Sequence, residues 1–114
     1  EAAGDVRRAE RAFRRAIRKD PSLAVAWANL GTVLHAAGNV NEARAAYRRA
    51  LELEPGNGPA ANNLALTYRE QPTRGLAILD QHQPLVDPAF LPALTSTRET
   101  LMQSLPSETN TPQP

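Results

Sequence analysis

The 114-residue chain contains no cysteine, which removes disulfides, thiol nucleophiles and zinc sites built on thiolates. With no thiol to oxidise, the compartment is left open, the cytoplasm slightly favoured. Lysine is almost absent too. Of thirteen basic residues only Lys19 is lysine and the rest are arginine; together with twenty alanines this is the bias of a high-GC bacterial genome. Aromatics make up 4% of the chain, and no apolar run approaches the length of a membrane span. Net charge is +1, so no strong field of one sign directs the chain toward nucleic acid or membrane.

Catalytic and metal-binding patterns are scarce as well. The two histidines, His35 and His82, lie in no HExxH motif, beside no nucleophile, and no glycine-rich phosphate loop is present. Asp80, His82 and Asp87 are the nearest approach to a metal set, but loop and helix-end positions account for them more simply. No enzyme, metal or cofactor is expected within these residues. Seven basic residues gather between Arg7 and Lys19, with spacings that make a helical stripe able to meet phosphates. The one aromatic within the run, Phe13, belongs to the repeat as the counterpart of Tyr47 and not to the basic stripe, and Arg14 and Arg15 recur as Arg48 and Arg49. A solvated outer face explains them better than nucleic acid.

What the chain does have is a period of 34 residues. Gly4 returns as Gly38, Ala9 as Ala43, Phe13 as Tyr47, Ile17 as Leu51 and Pro21 as Pro55; residues 1–23 and 35–57 agree at ten of twenty-three positions. A third copy is visible in its first half, where Leu30, Leu34 and Asn29 become Leu64, Tyr68 and Asn63. Trp27, Leu30, Gly31 and Leu34 share a face of a helix over Ala24–Ala37, since offsets of three, four and seven residues coincide at about 100° per residue. After Gly38-Asn39, with Asn41 as cap, a second helix over Ala43–Leu53 turns Ala43, Ala46, Tyr47, Ala50 and Leu51 toward the first. Pro55 ends it. Gly56-Asn57-Gly58-Pro59 then supplies a turn, a cap and a first-turn proline. The third unit's second helix is expected over roughly Arg74–Gln83, stopped by Pro84. A final helix over about Ala89–Leu105 carries Leu91, Leu94, Arg98, Leu101 and Leu105 on one side.

The pattern W27-x2-L30-G31-x2-L34, A43-x3-Y47 and P55 resembles the tetratricopeptide repeat. The resemblance implies an all-α, right-handed solenoid of helix-turn-helix units: a partial repeat over 1–23, a complete one over 24–57, a degenerate one over 58–88, a capping helix over 89–105, and a disordered tail or linker over 106–114. It also implies that the chain begins inside a repeat. Ala9, Phe13 and Ile17 would then lack a partner helix, which further repeats upstream or a second copy of the chain would cover.

Asn29 and Asn63 are the residues a purely structural reading leaves unexplained, because asparagine is a poor helix former. With Trp27 as zero, Asn29 falls at about 200°, Val25 at about 160°, Thr32 at about 140° and Ala36 at about 180°, opposite the core. The matching stripes are Pro59, Asn63, Leu66 and Glu70 in the third unit, and Pro92, Ser96, Glu99 and Gln103 in the last helix. In tetratricopeptide proteins this face lines a concave groove that binds proteins or extended peptides without catalysis. The resemblance therefore places a candidate peptide site at Val25, Ala28, Asn29, Thr32, Asn62, Asn63, Leu66, Arg69 and Ser96, with His35 nearby. The asparagine row is similar to that of O-GlcNAc transferases, where side-chain amides hold a peptide backbone. It departs from the carboxylate clamp of chaperone-binding relatives, whose basic residues fall here at Val25, Pro92 and Ser96. Alternatives are a recruiting or spacer arm of a larger enzyme such as a glycosyltransferase, or self-association.

Overall fold

The computed structural model describes residues 2–105, with side chains from residue 4 onward. The expected tail over 106–114 lies outside the described residues. Six α-helices follow one another: α1 (Ala2–Lys19), α2 (Ala24–Ala36), α3 (Val40–Leu53), α4 (Gly58–Leu66), α5 (Pro72–His82) and α6 (Leu91–Gln103). Two single 3₁₀ turns, Gln83–Leu85 and Pro88–Phe90, link α5 to α6, and the described residues contain no strand. This is an all-α helical-repeat solenoid.

Each helix packs on its chain neighbour. In addition α2 touches α4, and α4 touches α6, whereas α1, α3 and α5 scarcely meet one another. Alanine explains the close pairs: Ala43, Ala46 and Ala50 on α3 and Ala60 and Ala61 on α4 are buried, and small side chains bring helix axes together. α2, α4 and α6 therefore form one layer, and α1, α3 and α5 the other.

Two apolar clusters fill the interior. The first gathers Leu30, Leu34, Tyr47, Leu51, Leu64 and Tyr68, with half-buried Phe13, Ile17 and Trp27 packed against it. Tyr47 is central. A Cβ built on Gly31 would lie 2.6 Å from Tyr47 Cε1, so the glycine lets the ring lie flat on the α2 backbone. The Tyr47 hydroxyl donates to Thr32 Oγ1 at 3.1 Å, and burial raises the phenol above its ordinary pKa. The second cluster joins Ala65, Leu79, Val86, Leu94 and Leu101. Ile78 packs against both.

The turns follow the sequence with two corrections. Asn57 caps α4, its side chain accepting from Ala60 N at 2.9 Å, with Pro59 in the first turn. Asn41, however, is not the cap of α3. That helix starts at Val40, the cap position belongs to Asn39 without a side-chain bond, and Asn41 is exposed in the first turn. The reason lies in the turn before it. Gly38 adopts φ 86°; its N–H bonds His35 O at 3.0 Å and the Asn39 N–H bonds Leu34 O at 2.8 Å, a paired closure of the α2 C-terminus that sends the chain straight into α3. Gly38→Ala is expected to cost about 1–2 kcal/mol from the left-handed backbone alone, because a Cβ there would meet nothing within 4 Å. Urea unfolding followed by far-UV circular dichroism measures it, and an unchanged midpoint would refute the strain.

The second correction concerns α4, which stops at Leu66 before the stripe reaches Arg69 and Glu70. Thr67 Oγ1 donates to Leu64 O at 2.6 Å. Arg44 of α3 reaches across to donate to Thr67 O at 2.6 Å and to Thr67 Oγ1 at 3.0 Å. A cation on the last carbonyls complements the helix dipole, and Arg69 and Glu70 are left exposed in the following turn. Two other expected helices shift slightly: α5 begins at Pro72 rather than Arg74, and a 3₁₀ turn replaces the first residues assigned to α6.

Candidate functional site

On the α2–α4–α6 layer, Val25, Asn29, Thr32 and Ala36 of α2 are all exposed, and Val25, 60% exposed, is among the most open large apolar residues. Asn63 and Leu66 of α4 are half-buried, and Ser96 of α6 is exposed. The helices that carry these positions are neighbours, α2 touching α4 and α4 touching α6. Thr32 is tied into the helix as well: its hydroxyl donates to Ala28 O at 3.2 Å while accepting from Tyr47. Its methyl and one face remain accessible.

Two expected flanking residues are engaged elsewhere. Ala28 is only 6% exposed and belongs to the first apolar cluster, because an alanine one step off the stripe falls under the neighbouring helices. Asn62 accepts a short hydrogen bond from the Thr97 hydroxyl, and Thr97 is buried. That amide joins α4 to α6. Arg69, in the turn after α4, does not lie on the helical stripe. Among the sequence-derived residues Val25, Asn29, Thr32 and Ser96 are thus exposed, and Asn63 and Leu66 are half-buried.

The acidic and histidine residues of the C-terminal unit separate into three structural roles. Asp80 pairs with Arg98 at 2.8 Å, Asp87 accepts from Ala89 N at 2.8 Å, and His82 Nδ1 meets Pro55 O at 2.8 Å. The last contact requires the proton on Nδ1 and pins the end of α5 to the turn before α4. Among the described residues no group of three or more such side chains is placed to hold a metal.

A concavity was not legible in the sequence. It lies between α3 and α5, on the opposite side from the asparagines, as a trough of about 600 Å³. Leu51, Leu64, Tyr68, Ala77, Ile78 and Leu85 form its apolar part, and Arg48, Arg74, Glu52 and His82 stand among its polar lining. The signal that would have found it is the run of arginines on α3 combined with the change of register in α5.

A family model described as Tetratricopeptide repeat matches residues 1–61 and again 37–80, together covering more than half of the 114 residues. A comparison with curated proteins finds no match.

Proposed function

Because the chain belongs to the tetratricopeptide repeat family, whose repeats generally mediate protein–protein interaction, we propose that it is a non-catalytic module that holds an extended peptide along its concave face. The observation that carries this reading is the set of accessible polar side chains on neighbouring helices, Asn29 and Ser96 exposed and Asn63 half-buried. Asn29 and Asn63 stand one repeat apart, and neither side chain makes a hydrogen bond among the described residues. An amide offers one acceptor and two donors, which matches the N–H and C=O of a peptide backbone at successive residues. Val25 and Leu66 beside them supply apolar surface. Grip on the backbone, with little reading of side chains, is what such a set supports.

The test separates binding from folding. Replacing Asn29 and Asn63 together by alanine should leave stability unchanged or raise it by roughly several tenths of a kcal/mol per site, through helix propensity. Affinity for a peptide captured by the wild-type groove should fall about ten-fold or more, since each lost hydrogen bond is worth about 0.5–1.5 kcal/mol. Peptide-library selection followed by calorimetry on both proteins reads the two effects. Equal affinity in the double variant, or its unfolding, would assign the asparagines to the fold.

A further inference from the structure

The outer layer changes its electrostatics from one unit to the next. Between α1 and α3, Arg14 is held by two carboxylates, Glu10 at 2.9 Å and Glu42 at 3.4 Å, so the gap between those helices is bridged by an ion triad. The corresponding positions between α3 and α5 follow from the repeat. Glu10 and Arg14 of α1 return 34 residues later as Arg44 and Arg48 of α3. The buried pair Ala43 and Tyr47 of α3 has its counterpart in buried Gly75 and Leu79 of α5, an offset of 32 that makes Arg74 the equivalent of Glu42. Both acids of the triad have become arginine.

The three guanidiniums gather around one ring. Arg44 stacks on Tyr68 at 4.0 Å from its centroid, Arg74 lies at 5.1 Å and Arg48 at 5.9 Å. Arg48 also donates to the Tyr68 hydroxyl, and Arg74 to Gln71 Oε1 at 3.1 Å. None of the three has a carboxylate within 4 Å among the described residues, where the ion pairs involve Arg14, Arg49 and Arg98. Arg44 is committed to the end of α4; Arg48 and Arg74 line the trough. The trough's one acid, Glu52, is paired with Arg49 at 3.2 Å. Its apolar end is open: Leu85 is 60% exposed.

From this geometry we propose that the α3–α5 trough is a second docking site, taking an acidic, amphipathic segment of a partner protein. Carboxylates of that segment meet Arg48 and Arg74, supplying the negative charge that Glu10 and Glu42 supply to Arg14 one unit earlier. An aliphatic side chain between them enters the space over Leu51, Leu64, Ile78 and Leu85. The volume falls within the about 300–1,000 Å³ typical of pockets that enclose a small ligand. A nucleic acid fits less well, because the only aromatic in the trough already carries the Arg44 guanidinium on its ring and has no free face there for a base. Charge-assisted pairs near a partly apolar surface give the specificity for carboxylate over neutral peptides.

The probe is a fluorescein-labelled peptide of about ten residues alternating glutamate with leucine, followed by anisotropy at low and high salt beside a lysine–leucine counterpart. The wild-type protein should bind the acidic peptide alone, more weakly as salt rises. Arg48→Ala with Arg74→Ala should weaken it by at least about ten-fold, while Asn29→Ala with Asn63→Ala leaves it unchanged. Arg74→Glu by itself reverses the charge of an exposed side chain and leaves Arg44 on the Tyr68 ring and Arg48 on its hydroxyl in place, so it reads the same site by a second route. No binding of the acidic peptide, equal binding of the lysine peptide, or indifference to both arginine variants overturns the proposal. So does tighter binding of a single-stranded oligonucleotide or polyphosphate, or weakening by the asparagine pair alone.

Discussion

Tyr47→Ala should lower the free energy of unfolding by about 3–5 kcal/mol, the range for deleting a buried ring. Such a loss is a large part of the about 5–15 kcal/mol that keeps a typical domain folded. The residue is 1% exposed, rests on the bare backbone of Gly31, and closes a hydrogen-bonded chain through Thr32 to Ala28 O. Truncation leaves a cavity where two helices of the complete unit meet, and Gly31 has no side chain to collapse into it. Tyr47→Phe keeps the ring and removes only the hydroxyl, so it should cost about 0.5–1.5 kcal/mol. Chemical denaturation of the two variants measures the difference. A loss below about 1.5 kcal/mol for the alanine variant would mean that the α2–α3 pair is held chiefly by its alanine contacts.

Leu101→Ala should cost about 2–5 kcal/mol, but locally. Leu101 is fully buried in the second cluster, and one of its methyl carbons would lie 2.8 Å from a Cβ on Gly75, so it fills the joint between α6 and α5. In an array whose units contact only their neighbours, damage at one end propagates as far as the interface energies allow. Amide exchange should accelerate at least about thirty-fold in α5 and α6, while α2 and α3 change far less. Uniform acceleration through all six helices would show a single cooperative unit instead.

The repeat period made α1, α2 and α3 legible because each repeating position had a reason visible locally: small residues where helices touch, Tyr47 over Gly31, proline after the second helix. The Asn57 cap was legible for the same reason. What the sequence concealed depends on partners distant along the chain. Arg44, 23 residues away, helps end α4 through Thr67 and removes Arg69 and Glu70 from the stripe. Thr97 takes up the Asn62 amide from 35 residues on. At the outer layer the period itself misled: 34 residues after Glu42 stands Leu76, and only the two-residue shift of α5, visible in the burial of Gly75 and Leu79, brings Arg74 to that place. Helical angles alone place Asn29 opposite Trp27, and Asn29 is exposed; Asn63, at the same angle one repeat later, is half-buried, a difference that the angle by itself does not contain.

Ile78 packs against both apolar clusters and also lines the outer trough. In the language of a one-dimensional chain of coupled units, it contributes to the coupling between the two halves rather than to the intrinsic stability of either. A substitution at Ile78 therefore acts on how far an opening in one half spreads to the other, and less on how readily either half opens alone.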